Sequence, residues 1–180
     1  MGGNAPFIVL EDSDIDVAVK SAMSSKFRCA GQTCVCADRF LVHSSVEEQF
    51  VSKLVDAIEH SITVGDGTST ATTMGPLITP DAVVSVGDKV KEAVRNGAEC
   101  LIGGSPMENL GSNFFEPTVV VNVKPGRDAL WDEETFGPVA AVAAFHSDEE
   151  AVSIANNSPS GLASYVFSRD VARALRIASR

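Results

Sequence analysis

Basic charge is scarce in this sequence: 14 Lys and Arg stand against 24 Asp and Glu, a formal net charge of -10 across 180 residues. Such a chain repels a phosphate backbone, and it has no cluster of Lys and Arg interleaved with aromatics, so nucleic acid is not an expected partner. Long apolar runs are missing too. The longest candidate, Val139 to Phe145, has the length of a buried strand and falls far short of the roughly 20 residues that cross a bilayer as a helix, so no membrane partner is expected. Four cysteines, at 29, 34, 36 and 100, lack the regular framework of a secreted disulfide scaffold, and no secretory leader is visible. The expected setting is a reducing intracellular compartment, cytoplasm or mitochondrial matrix. A zinc centre is not expected either, because Cys34-Val35-Cys36 has one intervening residue where paired thiolates want about two to four, and no second pair exists.

With 44% hydrophobic residues the chain is long and apolar enough to bury a real core. Strand-like runs at Pro6 to Leu10, Phe40 to Val42, Cys100 to Ile102, Thr118 to Val121, Val139 to Phe145 and Tyr165 to Phe167 alternate with helical patterns. That alternation predicts a three-layer α/β fold, a mainly parallel sheet flanked by helices. Ser13 with Asp16 reads as a capping box for a first helix carrying Ile15, Ala18, Val19, Ala22, Met23 and Phe27 inward. A second helix is expected from Ser44 or Ser45. Thr79-Pro80-Asp81 opens a third, Asn96-Gly97 closes it, Ser147 with Glu150 opens a fourth, and a fifth runs from Asp170. Neither repeat nor linker interrupts the pattern, so residues 1–180 read as one domain. Met1 runs directly into Gly2-Gly3 and a strand, and Arg180 ends on an uncapped helical pattern, so the expectation is a domain excised from a larger chain.

The residue that points most directly to chemistry is Cys34. It follows the Gly31-Gln32 turn and is read as standing directly before a strand, at a hinge where a thiol can lean into a cleft near backbone N–H groups. A cysteine inside the apolar run would simply be packed away. Glu133-Glu134, taken alone, reads as a solvated acidic turn, and Gly103-Gly104 and Gly65-Asp66-Gly67 as loops, since neither has dinucleotide-turn spacing.

Three ordered motifs, Gly2-Gly3-Asn4-Ala5-Pro6, Gly31-Gln32-Thr33-Cys34 and Glu133-Glu134-Thr135-Phe136-Gly137-Pro138, resemble those of the aldehyde dehydrogenase superfamily. The likeness extends through Phe115 to Thr118 and from Asn156 to Ala163, and so covers essentially the whole chain. It implies the catalytic domain of an enzyme that uses NAD or NADP, with Cys34 as nucleophile and Glu134 and Phe136 beside the nicotinamide ribose. Within the superfamily the succinate semialdehyde dehydrogenases are most similar. That branch implies Arg28 as the holder of a substrate carboxylate and Cys36 as the redox partner of Cys34. The alternatives are a helix-end arginine and an inert thiol. The resemblance also implies a small aldehyde as substrate and a homodimeric or homotetrameric parent. Departures from the pattern are Met1 where a Glu-Leu pair carrying the general base would precede Gly2, Cys29 at an expected asparagine, and Thr135 at a usually aliphatic position. These leave open a segment inactive on its own, a dehydrogenase for another aldehyde, or a non-catalytic scaffold or interaction domain that keeps the fold.

Overall fold

The computed structural model describes residues 2–180; Met1, which stands just before Gly2 where the Glu-Leu pair was expected, lies outside the described residues. Among the described residues six strands form one sheet: β1 (Ala5–Val9), β2 (Ala37–His43), β3 (Glu99–Ile102), β4 (Thr118–Val121), β5 (Val139–Phe145) and β6 (Tyr165–Phe167), in the order β3-β4-β5-β2-β1-β6. Every pairing is parallel except β3 with β4. The central strands β5, β2 and β1 are buried almost throughout, as strands covered on both faces must be.

Adjacent residues of β2 show the three layers directly. Successive strand side chains point to opposite faces. Asp38 turns to α1 (Ile15–Lys26), where Lys26 Nζ meets its Oδ1 at 2.5 Å. Arg39 turns the other way, donating to the carbonyls of Ile154 and Ala155 at the end of α5 (Asp148–Asn156) and to the carbonyl of Asn4. Helices therefore cover both faces. Burial holds the Arg39 guanidinium below its ordinary pKa, and the negative end of α5 partly offsets its charge.

The remaining helices are α2 (Glu47–Ser61), α3 (Pro80–Arg95), α4 (Ala129–Asp132) and α6 (Val171–Ala178). Thr79 caps α3, with Pro80 in its first turn and Gly97 in the left-handed region just past its end. Ser147 caps α5 and Asp170 caps α6. Two expected starts are displaced. The cap of α1 is Asp14, which accepts from the Val17 N–H, because the Ser13 hydroxyl is taken up donating to the Phe167 carbonyl at the end of β6. Helix α2 begins at Glu47 without a side-chain cap, because Ser45 pairs instead with the His43 ring. Helix α4 was not foreseen: one turn has too few positions to show a period.

Two electrostatic features give measurable expectations. Lys26 and Asp38 are 0% and 3% exposed, so Asp38→Ala leaves an unpaired buried ammonium and should cost about 3–5 kcal/mol, read as a lowered urea midpoint. The double change Lys26→Met with Asp38→Leu should recover most of that loss. At the surface, Arg173 donates to Glu11 and Asp148 and holds both carboxyls below their ordinary values. A lowered folded pKa means a contribution complete above about pH 4.5 and lost as pH falls through the lowered values. Wild type should accordingly lose more thermal stability between pH 5 and pH 3 than Arg173→Met; equal losses would refute the link.

Candidate active site

Three loops that enter neighbouring parallel strands meet at one end of the sheet. Gly2 to Asn4 leads into β1, Phe27 to Cys36 into β2, and Glu133 to Pro138 into β5, and these strands are adjacent in the order β5-β2-β1. The meeting point is the amino end of the strands, whereas ligands in open α/β sheets usually sit at the carboxyl end.

Two glycines let the loops touch. A Cβ on Gly3 would lie 1.8 Å from the Cys34 carbonyl oxygen, and one on Gly31, which has φ +75°, would lie 2.1 Å from the Gly137 oxygen. Only backbone fits at either place. The Gly3 N–H donates to Glu134 Oε1 at 2.8 Å. The dipeptide entering β1 thus has the Cys34 backbone packed on it and the Glu134 carboxylate bound to it. Lys89 of α3 fixes the third loop, donating to the Glu134 carbonyl at 2.9 Å and lying 3.2 Å from Glu133 Oε2.

Cys34 is exposed, but the strand starts later than expected. The Cys36 N–H donates to the Thr33 carbonyl at 2.9 Å, so Thr33 to Cys36 is a turn with Cys34 at its first corner, and β2 begins at Ala37. Among the described residues the Cys34 N–H has no protein acceptor. Upstream, Arg28–Gly31 makes a short 3₁₀ turn in which Cys29 and Ala30 both adopt left-handed backbone, φ 52° and 53°. Asparagine tolerates that region better than cysteine does, which gives the expected residue at position 29 a physical rationale. The bend is held by Gln32, whose side chain donates to the Cys29 and Pro76 carbonyls and accepts from the Ile78 N–H.

The other candidates fall around this turn. Arg28 is exposed and borders a cleft of about 310 Å³ together with Thr33, Val35, Tyr165, Phe167 and serines of the last turns of α1. Thr33 and Val35 flank Cys34, so the guanidinium and the turn share one depression. Cys36 points inward, 1% exposed, its thiol 2.8 Å from the Thr33 hydroxyl. Glu134 is half-buried, with one carboxylate oxygen on Gly3, and Phe136, at φ 50°, is 42% exposed. Sequence reasoning assigned nothing to Gln32, Lys89 or Tyr165. Lys89 looks like any surface lysine of an amphipathic helix; Tyr165 had a signal, as the sole tyrosine, standing at the start of a strand.

The model of the aldehyde dehydrogenase family matches residues 1–180. A mitochondrial succinate-semialdehyde dehydrogenase of Rattus norvegicus is 49% identical, over 100% of this chain and 34% of its own length. Succinate-semialdehyde dehydrogenase [NADP(+)] 1 of Schizosaccharomyces pombe is 46% identical, over 98% and 35%. Among solved structures, succinate-semialdehyde dehydrogenase from Burkholderia pseudomallei superposes with a TM-score of 0.96 at 47% identity, covering 99% of this chain and 36% of that one. This chain therefore spans about a third of the length of the relatives it matches. With a match along its full length, a sheet that superposes so closely and identities near one half, the chain belongs to the aldehyde dehydrogenase family.

Proposed function

We propose that these residues form the catalytic portion of a longer NAD- or NADP-dependent dehydrogenase that oxidises succinate semialdehyde to succinate, with Cys34 as nucleophile. The observation that carries this reading is the double use of Gly3, which holds the turn of an exposed thiol on one side and a carboxylate on the other.

In this reading the Cys34 thiolate adds to the aldehyde carbon, a C–S bond forms, and the carbonyl electron pair moves onto oxygen. The free Cys34 N–H is available to donate to that oxygen, where preorganised donors stabilise developing charge. A nicotinamide, when bound, supplies the acceptor for the hydride that leaves this carbon. Water then attacks the thioester, the C–S bond breaks, and succinate, the free thiolate and the two protons of the water result.

The residues present fit a nicotinamide riboside. Glu134 Oε1 is occupied by Gly3, while Oε2 has no donor among the described residues and is free to accept from ribose hydroxyls; the exposed Phe136 ring offers an apolar surface beside it. Arg28 is the anchor proposed for the substrate's acid end, since a guanidinium matches a carboxylate with two hydrogen bonds. The names of the relatives support this substrate, and the serines in the same cleft add polar groups suited to an anion. Cys36 is proposed as the redox partner of Cys34; its thiol must first leave the contact with Thr33.

The full-length enzyme tests these roles. Cys34→Ser should abolish NAD(P)H production from succinate semialdehyde. Arg28→Ala should raise KM for that substrate about 10- to 100-fold while leaving KM for butanal within about twofold, as loss of a charge-assisted contact predicts. An equal change for both aldehydes would overturn the anchor. Peroxide treatment should give a Cys34–Cys36 linked peptide by mass spectrometry, with activity restored by dithiothreitol and no linkage in Cys36→Ser. Peroxide-inactivated enzyme without that peptide would refute the redox pair.

A further inference from the structure

Tyr165 opens β6 at the same end of the sheet as the three loops, because β6 runs parallel to β1 with Tyr165 in register with Phe7. Its ring packs against Phe7, with centroids 5.8 Å apart, and that contact belongs to the aromatic group formed with Phe40 and Phe167. From this base the phenol reaches across 130 residues of sequence and donates its O–H to the Val35 carbonyl at 2.6 Å. Val35 is the second corner of the turn that presents Cys34. On its other flank the turn is closed by the Cys36 N–H to Thr33 carbonyl bond, and underneath it rests on Gly3.

The turn is thus fixed from below by Gly3 and from within by Thr33, and among the described residues the Tyr165 hydroxyl is the one side-chain donor that reaches its Cys34-Val35 corners. The ring also walls the cleft that Arg28 borders, so a single side chain touches both the turn and the depression beside it. Burial raises the phenol's pKa above its ordinary value, which keeps the hydroxyl a donor through neutral pH.

We propose that Tyr165 is a positioning residue for the nucleophile. Its hydroxyl holds the Val35–Cys36 peptide, whose N–H is bound to Thr33, and so locks the turn in the conformation that leaves the thiol exposed and the Cys34 N–H free for the developing oxyanion. The inference rests on the reading of Cys34 as nucleophile, and it assigns Tyr165 no contact with substrate or cofactor. Without the hydroxyl the Val35 carbonyl loses its side-chain donor, the second corner of the turn is free to shift, and thiol and N–H no longer converge on one carbonyl. The loss is then one of geometry in the reacting state, so it acts on kcat and spares KM.

Tyr165→Phe in the full-length enzyme tests this, since it keeps the ring and its aromatic contacts and removes only the donor. Expected is a fall in kcat of about threefold to tenfold, the range of one lost neutral hydrogen bond, equal for succinate semialdehyde and butanal and with both KM values unchanged. Alkylation of Cys34 by iodoacetamide, located by fragmentation of the Cys29–Arg39 peptide, should slow in parallel. Tyr165→Leu should lower the melting temperature as well, which separates loss of the aromatic packing from loss of the donor. Unchanged kcat and unchanged Cys34 alkylation in Tyr165→Phe overturn the inference; so does a loss confined to succinate semialdehyde, which would make the tyrosine a substrate contact. If the wild-type enzyme oxidises neither aldehyde, the proposed function fails, and the alkylation rates still decide whether Tyr165 positions the thiol.

Discussion

The absence of a side chain at Gly3 is the constraint on which the site depends. The Cys34 carbonyl lies where a Cβ would be, so the turn that carries the thiol rests directly on the chain entering β1. That approach also turns the Gly3 N–H toward Glu134, and one residue therefore fixes the separation between a thiol-bearing turn and a carboxylate-bearing loop 100 residues further along the chain. Gly31 repeats the device between the second and third loops, where its φ of +75° and its contact with the Gly137 carbonyl both exclude larger residues. Backbone packed on backbone has no rotamers to explore. Loops joined in this way are held more rigidly than loops joined by side chains, and the nucleophile proposed at Cys34, which must meet a carbonyl carbon within a few tenths of an ångström, needs that rigidity.

The rest of the fold holds the ends of those loops. Lys26 closes α1 and Asp38 is the second residue of β2, so their buried ion pair spans the stem of the Phe27 to Cys36 segment. Next to it, Arg39 ties β2 to the carbonyl of Asn4 and to the end of α5, which links the first and second loops through the opposite face of the sheet. Neither charge lies in the cleft beside Cys34. Both are expensive to bury and are worth their desolvation only while their partners stay in place, so a shift of the loop stem has an energetic cost well away from the chemistry. That is a physical reason for charges at two consecutive positions of a central strand that is otherwise apolar.

How far the sequence disclosed this arrangement depended on the range of the interactions involved. Strand runs such as Thr118 to Val121 and Val139 to Phe145 were legible to the residue, because burial on both faces leaves a nearly uninterrupted apolar signature. The Thr79-Pro80 start was legible for the same reason, since its signal is local. Ser13 and Ser45 misled because serine's choice between a helix cap and another partner is decided by what lies near in space, here the Phe167 carbonyl and the His43 ring. The turn at Thr33 to Cys36 escaped notice because Val35 and Cys36 look like strand residues; the turn exists through the contact with Gly3 and the bond from Tyr165, both invisible to a local reading. The motifs named the candidate residues, and it was the topology that brought them to one end of the sheet.

That end is itself informative. Sites at the carboxyl ends of parallel strands use the loops that lead into helices, whose N-termini suit phosphates. At the amino ends the entering loops are extended or turn-like and expose single N–H groups that no ladder has claimed. The Cys34 N–H is one, and the Gly3 N–H, already committed to Glu134, is another. Single donors suit an oxygen that gains charge only briefly better than a standing dianion, which would call for a whole helix end. Under the proposed function, an exposed thiol whose turn carries one free donor, beside a loop with one fixed carboxylate, at the amino edge of β5, β2 and β1 suits acyl chemistry on sulfur, where charge appears on one oxygen and leaves again within the same turnover.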